Sequence, residues 1–528
     1  MVATKEWAQQ NFGECQLGDK RRTNRLVRLA GQVANNPSAS LPNQTATWSD
    51  LKAAYNFFDR DEVTFEAIAG PHWELTKQRR SGRYLVIGDT TEINFGKDRD
   101  LADVSPVGKN GTGKGFLLHN ALLVGADTGE IVGVAGQKIH HRKRAPRKEN
   151  RLKRLQRNRE SEIWGDVVDQ IGPPPDGVQW IQVFDRGGDN FEVYCHLLLQ
   201  QSDWVIRCAQ MRRYILTGEN DEQTTLADHL LSLTLLGTYE LEVRARPKQS
   251  ARRAMLEVRV GKLKMPPPRE KSPWLKKLDA APIPMHVVHV QEVNAPEGTK
   301  PISWVLLTSL PVSTFTDAWK IIEYYEMRWL IEEYHKALKT GCRVTHRQLK
   351  SSGRLEAMVG LMSVVALRLL QLKSLARTSP DIPAQRVVPS VWLQMLKAVS
   401  PKINRVHDIT VRQFYREVAK LGGFLARKGD GEPGWITTWR GWEKLNTLVT
   451  AAMLAKQLNL QTLDYGKDKS AGRDSNRDAK PSRVPLGKLG QRDLLGNGVS
   501  LQIGAPGWTA ARAGGMCAAL RGRIAQHL

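Results

Sequence analysis

Cysteine is scarce in this chain. Its 528 residues include five, Cys15, Cys195, Cys208, Cys342 and Cys517, with no CxxC pair among them. Such scattered single thiols exclude a disulfide-stapled scaffold and a cysteine zinc site, and they point to reduced thiols and a cytoplasmic location. The opening residues, "MVATKEWAQQNF", lack the apolar core of a secretory signal. Long uncharged apolar runs are also missing. The best, residues 355–372 ("LEAMVGLMSVVALRLLQL"), carries Glu356 and Arg368, and it reads as a buried helix rather than a membrane span. No internal repeat is present, which sets aside solenoids and propellers. Acidic charge is in deficit: 54 Asp and Glu against 78 Lys and Arg leave a net charge of +24. An excess of that size, gathered in blocks, favours nucleic acid over an anionic membrane surface as the partner.

The pattern then divides the chain. Residues 1–75 read as helices. Within "LGDKRRTNRLVRLAGQVA", Arg21, Arg25 and Arg28 share one face, and Leu26, Leu29, Ala30 and Val33 the other. Residues 76–208 mix strands and helices: "RYLVIGDTTEINF", two strands joined by "ADTGE", a basic segment at 140–159 leading into a helix, and "VQWIQVFDRGGD". This implies an α/β core with a mixed sheet. Residues 209–313 alternate with period two, as in "TYELEVRARP" and "MHVVHVQEV", and predict an inserted antiparallel β subdomain. The Pro-rich stretch at 262–277 reads as a loop within it. Residues 314–378 and 379–460 are helical. In the latter, Trp442, Leu445, Val449 and Ala452 form an apolar stripe, suited either to internal packing or to a dimer contact. Residues 461–528 shift to Gly, Asp, Arg and Lys and read as a disordered tail.

Several motifs carry possible chemistry. "GKNGTGKG" (108–115) nearly matches a phosphate-binding P-loop. Gly115 stands where a metal-binding Ser or Thr is needed, and a strand rather than a helix follows, so the stretch reads as a mobile loop near phosphate. Glu332 and His335 form a lone ExxH pair, one short of the two that a di-iron bundle needs. Asp89 and Asp185 each end an apolar strand, "YLVIGD" and "WIQVFD". Paired carboxylates repel unless a cation lies between them. Hard Mg²⁺ fits such oxygen ligands, and two such ions suit phosphodiester cleavage. A third acid is expected. In "YYEMRWLIEEYHKALK" (324–339), Tyr325, Arg328, Glu332 and Lys339 fall within an arc of roughly 60° on a regular helix. One carboxylate beside two cations and a phenol suits a metal-and-phosphate face.

Tyr325-x2-Arg328-x3-Glu332-x6-Lys339 resembles the Y-R-E-K signature of the IS-four family of bacterial cut-and-paste transposases, in particular its Tn-five-type members. "LGDKRRTNRLV", "GDTT", "DRGGD", "LGGF" and "GWEKL" extend the resemblance to about residue 460; the tail has no counterpart. The resemblance implies an RNase H-like core with the triad Asp89, Asp185 and Glu332 holding two Mg²⁺ ions, for which Mn²⁺ can substitute. Tyr325, Arg328 and Lys339 would hold DNA phosphates, with Arg186 and Arg207 as further contacts. Trp304 would stack on a base flipped from the duplex. The helices at 1–75, with Arg21, Arg22, Arg25 and Arg28, would read the transposon end, and 379–460 would dimerise. Double-stranded DNA, a homodimer bridging two ends, a hairpin intermediate and strand transfer follow from the same resemblance. A cleavage-silent end binder and a nuclease without strand joining are the alternatives.

Overall fold

The computed structural model describes residues 4–101, 103–143, 150, 159–243 and 250–457. Most of the basic stretch at 140–159 and the whole tail at 461–528, with its expected disorder, lie outside the described residues; the helix to which the basic stretch leads is described, at Ile163–Ile171.

Five helices open the chain: α1 (Thr4–Phe12), α2 (Lys20–Asn35), α3 (Leu41–Gln44), α4 (Trp48–Phe58) and α5 (Phe65–Lys77). Side chains cap three of them. Asp19 accepts from the Arg21 N–H, Thr47 from Asp50 and Thr64 from Ala67, and each satisfies a donor that the first helical turn leaves free. On α2 the apolar side read from the sequence, Leu26, Leu29, Ala30 and Val33, is buried.

A mixed sheet follows. Its core strands are β1 (Gly82–Asn94), β2 (Ser105–Val107), β3 (Gly113–Gly125), β4 (Ile131–His140), β5 (Val178–Phe184) and β6 (Asp203–Arg207). The order runs β4, β3, β1, β5, β6. The pairs β4–β3 and β3–β1 are antiparallel, whereas β1–β5 and β5–β6 are parallel. This is the RNase H-like arrangement. Helices α6 (Ile163–Ile171) and α7 (Phe191–Leu199) flank β5 in the chain. Leu85, Val86 and Ile87 are all buried, as expected where both faces of a parallel sheet are covered.

The period-two segment forms β7 (Tyr214–Thr217), β8 (Glu222–Thr225), β9 (Thr234–Val243), β10 (Arg252–Met265), β11 (Ile283–Val293) and β12 (Ser303–Thr308), with short helices α8 (Leu226–Leu231) and α9 (Pro273–Leu278). Tyr239, Leu241 and Val243 are buried on alternate positions. The insert is continuous with the core: β12 pairs antiparallel with β6, Leu307 opposite Ile206, so one sheet runs through all twelve strands. An uncovered β6 edge would leave backbone donors and acceptors unpaired, and β12 supplies the partners. The stretch at 262–277 is not all loop, because β10 extends to Met265 and α9 occupies 273–278.

Helices close the core. α10 (Phe315–Glu326) starts at a Thr314/Asp317 capping box, and α11 (Trp329–Lys336) runs into a π turn (Ala337–Gly341). The sequence reads 324–339 as one regular helix; the structure breaks it at Met327 and Arg328. There the Arg328 N–H reaches Tyr325 O at 3.0 Å and the Leu330 N–H reaches Met327 O at 2.9 Å, the tighter i to i+3 pattern. The apolar α12 (Ser352–Thr378) packs against α5 and β4, with 89% of its most apolar window buried. It is a core helix: Glu356 meets His141 at 3.1 Å, and the Arg368 guanidinium lies 5.0 Å from the centre of the Trp7 ring.

α13 (Ser390–Val399), α14 (Val411–Leu421) and α15 (Trp435–Gln457) complete the described chain. The stripe on α15 serves internal packing. Trp442, Leu445 and Val449 are buried in one cluster with Trp392 and Phe414, while Ala452 is exposed. The dimer reading of that stripe is therefore corrected: the chain's own helices cover it.

Candidate active site

Strand register makes the first contact. On the parallel pair β1–β5, Ile87 lies opposite Val183. Asp89 and Asp185 each follow two residues later; Asp89 lies within β1, which runs on to Asn94, and Asp185 directly follows the end of β5, so the two stand at the same level. Neighbouring strands are about 4.8 Å apart. The two carboxylates consequently face one cleft of about 940 Å³, lined also by Thr90, Gly187, Lys138, Arg142 and Arg159. Asp185 accepts from the Gly187 N–H at 2.7 Å, and Asp89 from the Thr90 N–H at 2.8 Å.

The broken helix brings the cations. At the junction of α10 and α11, Arg328 reaches Asp89 Oδ2 with Nη1 at 3.5 Å and Glu332 Oε1 with Nη2 at 2.5 Å. Tyr325 is buried on the last turn of α10 and hydrogen-bonds Arg207 at the end of β6. Lys339, in the π turn, interacts with Glu92 and Asp89. Arg186 is exposed beside Asp185 and electrostatically coupled to Arg207. Eight of the residues singled out in the sequence thus share one site: Asp89, Asp185, Arg186, Arg207, Tyr325, Arg328, Glu332 and Lys339.

The charges there are out of balance. Burial, then the negative charges of Asp185 and Glu332, push the Asp89 carboxyl from 3.8 to about 7, against the pull of Arg328 and the Thr90 N–H. Burial holds Lys339 below the usual lysine range. Two close, partly desolvated carboxylates with hard oxygen donors fit a divalent cation. The third acid is placed differently from the sequence expectation. Among the described residues no three His, Cys, Asp or Glu side chains gather closely enough to hold a metal. The Arg328 guanidinium engages Glu332 and reaches Asp89, where a cation would be needed. Asp89 and Asp185 supply donors of the kind such a cation takes, while Glu332 is held by Arg328.

Other residues build the site without having been singled out. Asp189, the second acid of "DRGGD", is buried. It accepts from Tyr194 Oη (2.8 Å), the Ala209 N–H (2.6 Å) and both Nη atoms of Arg213 (2.7 and 2.5 Å). It ties the loop after Asp185 to the loop after Arg207. Its spacing in the motif was the available signal. Glu92 accepts from Arg142 Nη1 (2.6 Å) and the Gly108 N–H (3.1 Å). Beneath the acids, His119 bonds Thr90 (2.8 Å) and His335 bonds Asn120 (3.0 Å). Burial drives both imidazoles down to about 3, so they are neutral. His335 is thus a floor residue, not half of a di-iron motif.

Other expectations change. Trp304 is only 2% exposed and belongs to the main core, its ring 6.2 Å from that of Tyr325. As placed, it offers no open face to a base, because β12 lies inside the extended sheet. "GKNGTGKG" leads into β3. A Cβ on Gly115 would sit 1.9 Å from Ile93 O, so that glycine serves close strand approach rather than a phosphate cradle, and Lys114 Nζ donates to Arg99 O at 2.6 Å. The N-terminal arginines lie apart from the acids. Arg25 and Arg28 both pair with Asp50, at 3.1 and 2.7 Å, and Arg22 pairs with Glu62 at 2.6 Å. The Arg21 side chain is 93% exposed.

Three stretches of the chain match known protein families. Residues 4–63 match the family described as Transposase DNA-binding, and residues 364–461 match the Transposase Tn5 dimerisation domain. Among solved structures the chain is similar to a piggyBac transposase synaptic complex with hairpin DNA. That likeness is at 9% identity and a TM-score of 0.33, over 88% of this chain and 80% of that one, and it is too distant to carry argument. Residues 80–368, more than half of the sequence, match the Transposase DDE domain. This chain belongs to the DDE transposases, with a DNA-binding region before the catalytic domain and a dimerisation region after it.

Proposed function

We propose that the chain excises and inserts a DNA element by Mg²⁺-dependent phosphodiester hydrolysis and strand transfer. The observation that carries this reading is Asp89 beside Asp185 on in-register parallel strands, with Arg328 bridging Asp89 to Glu332. Asp89, Asp185 and, once freed from Arg328, Glu332 would hold two Mg²⁺ ions, or Mn²⁺ in their place. Bound there, the ions would activate the attacking oxygen and offset charge on the phosphate. Arg328, released toward the scissile phosphate, would work with Arg207, Lys339 and Tyr325 to hold its oxygens, and Arg186 would meet the strand at the rim. Water would open the transposon end. The freed 3′-hydroxyl would then form a hairpin on the other strand and, after the hairpin opens, attack target DNA. The protein's part is positioning and charge neutralisation. Two copies would bridge two ends in the cytoplasm, each reading DNA with residues 1–75.

The test is incubation of purified protein with duplexes carrying its element's ends and Mg²⁺. Wild type should nick, form hairpins and join ends to target DNA. Asp185→Ala and Glu332→Ala should bind the ends without cutting. Equal cutting by these variants refutes the triad. Nicking without joining would favour a nuclease.

A further inference from the structure

Lys339 does not sit on a regular helix. Ala337–Gly341 is a π turn, closed by the Cys342 N–H on Ala337 O at 2.8 Å. Such a turn carries an extra residue relative to an α turn and recurs at functional sites. It also disrupts the regular i to i+4 ladder, so outside partners matter to its stability.

Those partners come from beyond the catalytic domain. Trp439 of α15 donates its Nε1–H to Thr340 O at 2.7 Å. Its ring fills the space beside Gly341, where a Cβ would lie 2.1 Å from a ring carbon. One turn earlier on α15, Trp435 donates to Glu333 Oε2 at 2.6 Å. Glu333 is buried and also pairs with Lys373 of α12, whose ammonium lies 4.1 Å from the centre of the Trp435 ring. Glu333 neighbours Glu332, while Thr340 and Gly341 follow Lys339. The two tryptophans therefore grip the catalytic segment on both sides of Lys339. Trp435, Trp439 and Lys373 all lie within residues 364–461, the part that matches a dimerisation domain.

We propose that Trp435 and Trp439 are positioning residues that hold the π turn, so that the dimerisation region sets where Lys339 meets DNA phosphate. The proposal rests on the phosphate role assigned to Lys339 above. Trp439 caps the turn's exposed carbonyl and wedges against Gly341, and Trp435 anchors the preceding turn through Glu333. A shift of α15 would be transmitted directly to the lysine. Pairing of two copies would in this way reach the active site.

The experiment is a double-mutant cycle on the full chain, using pre-nicked duplexes of the element's own end with Mg²⁺. Trp439→Phe keeps most of the ring and removes the N–H. It should slow hairpin formation about ten-fold, the worth of one hydrogen bond, while end affinity by band shift stays within about two-fold. Backbone amides at 338–342 should exchange hydrogen faster in the DNA-free variant. Lys339→Ala should slow hairpins on its own, and adding Trp439→Phe should cost no more than about two-fold further. Trp435→Phe supplies the same cycle from the other grip if Trp439→Phe fails to fold. Full hairpin activity in a folded Trp439→Phe protein overturns the grip. So does an equal loss whether or not Lys339 is present, which marks general destabilisation. Wild-type hairpin rates in Lys339→Ala overturn the phosphate role first, and the grip with it.

Discussion

Asp89→Asn should make the metal-free protein more stable at pH 8 while abolishing cleavage. Burial and the charges of Asp185 and Glu332 push the Asp89 carboxyl from 3.8 to about 7. A raised carboxyl favours folding while it keeps its proton, so that contribution is complete below about pH 4 and disappears as pH rises through about 7. A tenfold change in proton affinity corresponds to about 1.4 kcal/mol, so the ceiling is about 4 kcal/mol between acid and alkaline conditions. Asparagine carries no charge to desolvate or repel. The variant's advantage over wild type should therefore be small near pH 4, grow to pH 7 and level off above it. Denaturant unfolding in chelator across pH 4–8 measures this. The difference between the two proteins cancels the titration of groups they share. Adding Mg²⁺ at pH 8 should then stabilise wild type, by about 2.7 kcal/mol at a hundred times the dissociation constant, and the variant much less. A wild type that is the more stable protein at pH 8 without metal would refute the reasoning. So would a gap that does not change with pH.

Four further outcomes are expected. Arg328→Ala removes the cation that competes for Glu332 and Asp89. Titration calorimetry should show Mg²⁺ binding tightened on the order of ten-fold, the worth of a charge-assisted hydrogen bond, while hairpin yield falls; weaker Mg²⁺ binding would exclude the competition. Asp189→Asn deprives the buried Arg213 of its carboxylate and should cost about 3–5 kcal/mol in denaturant unfolding; a neutral result would mean that the two loops are held by something else. Arg21→Ala should lower end affinity and reduce the salt slope by about one, as for a single phosphate contact. Arg25→Ala, which breaks a pair with Asp50, should lower the melting temperature of the protein instead. Identical salt slopes for wild type and Arg21→Ala would remove Arg21 from the DNA surface.

Local rules made some parts legible. Period-two alternation exposed β9, β10 and β11, and short apolar runs ending in acids exposed β1 and β5. The spacing of Tyr325, Arg328, Glu332 and Lys339 survived the break between α10 and α11: Arg328 still reaches Asp89 and Glu332, Tyr325 still interacts with Arg328 and Asp185, and Lys339 with Asp89. Asp189 was passed over because an acid in a Gly-rich loop resembles an ordinary turn residue until its partners Tyr194, Ala209 and Arg213 are in view. The stripe on α15 could not be assigned by pattern, since an apolar face looks the same whether its partner is Trp392 of the same chain or a second copy.

The sequence by itself determined the kind of chemistry: acids at the ends of apolar runs, a cation-rich helix and an excess of positive charge require no long-range information. Tertiary structure decided three things that depend on contacts between distant residues. The return of β12 onto β6 merged the insert with the core sheet and buried Trp304. The meeting of β1 with the α10–α11 junction set Arg328 against two of the three acids. The docking of α15 placed two tryptophans around the turn that carries Lys339. Each is a matter of register and packing between segments far apart in the chain, which helix and strand periodicity do not encode.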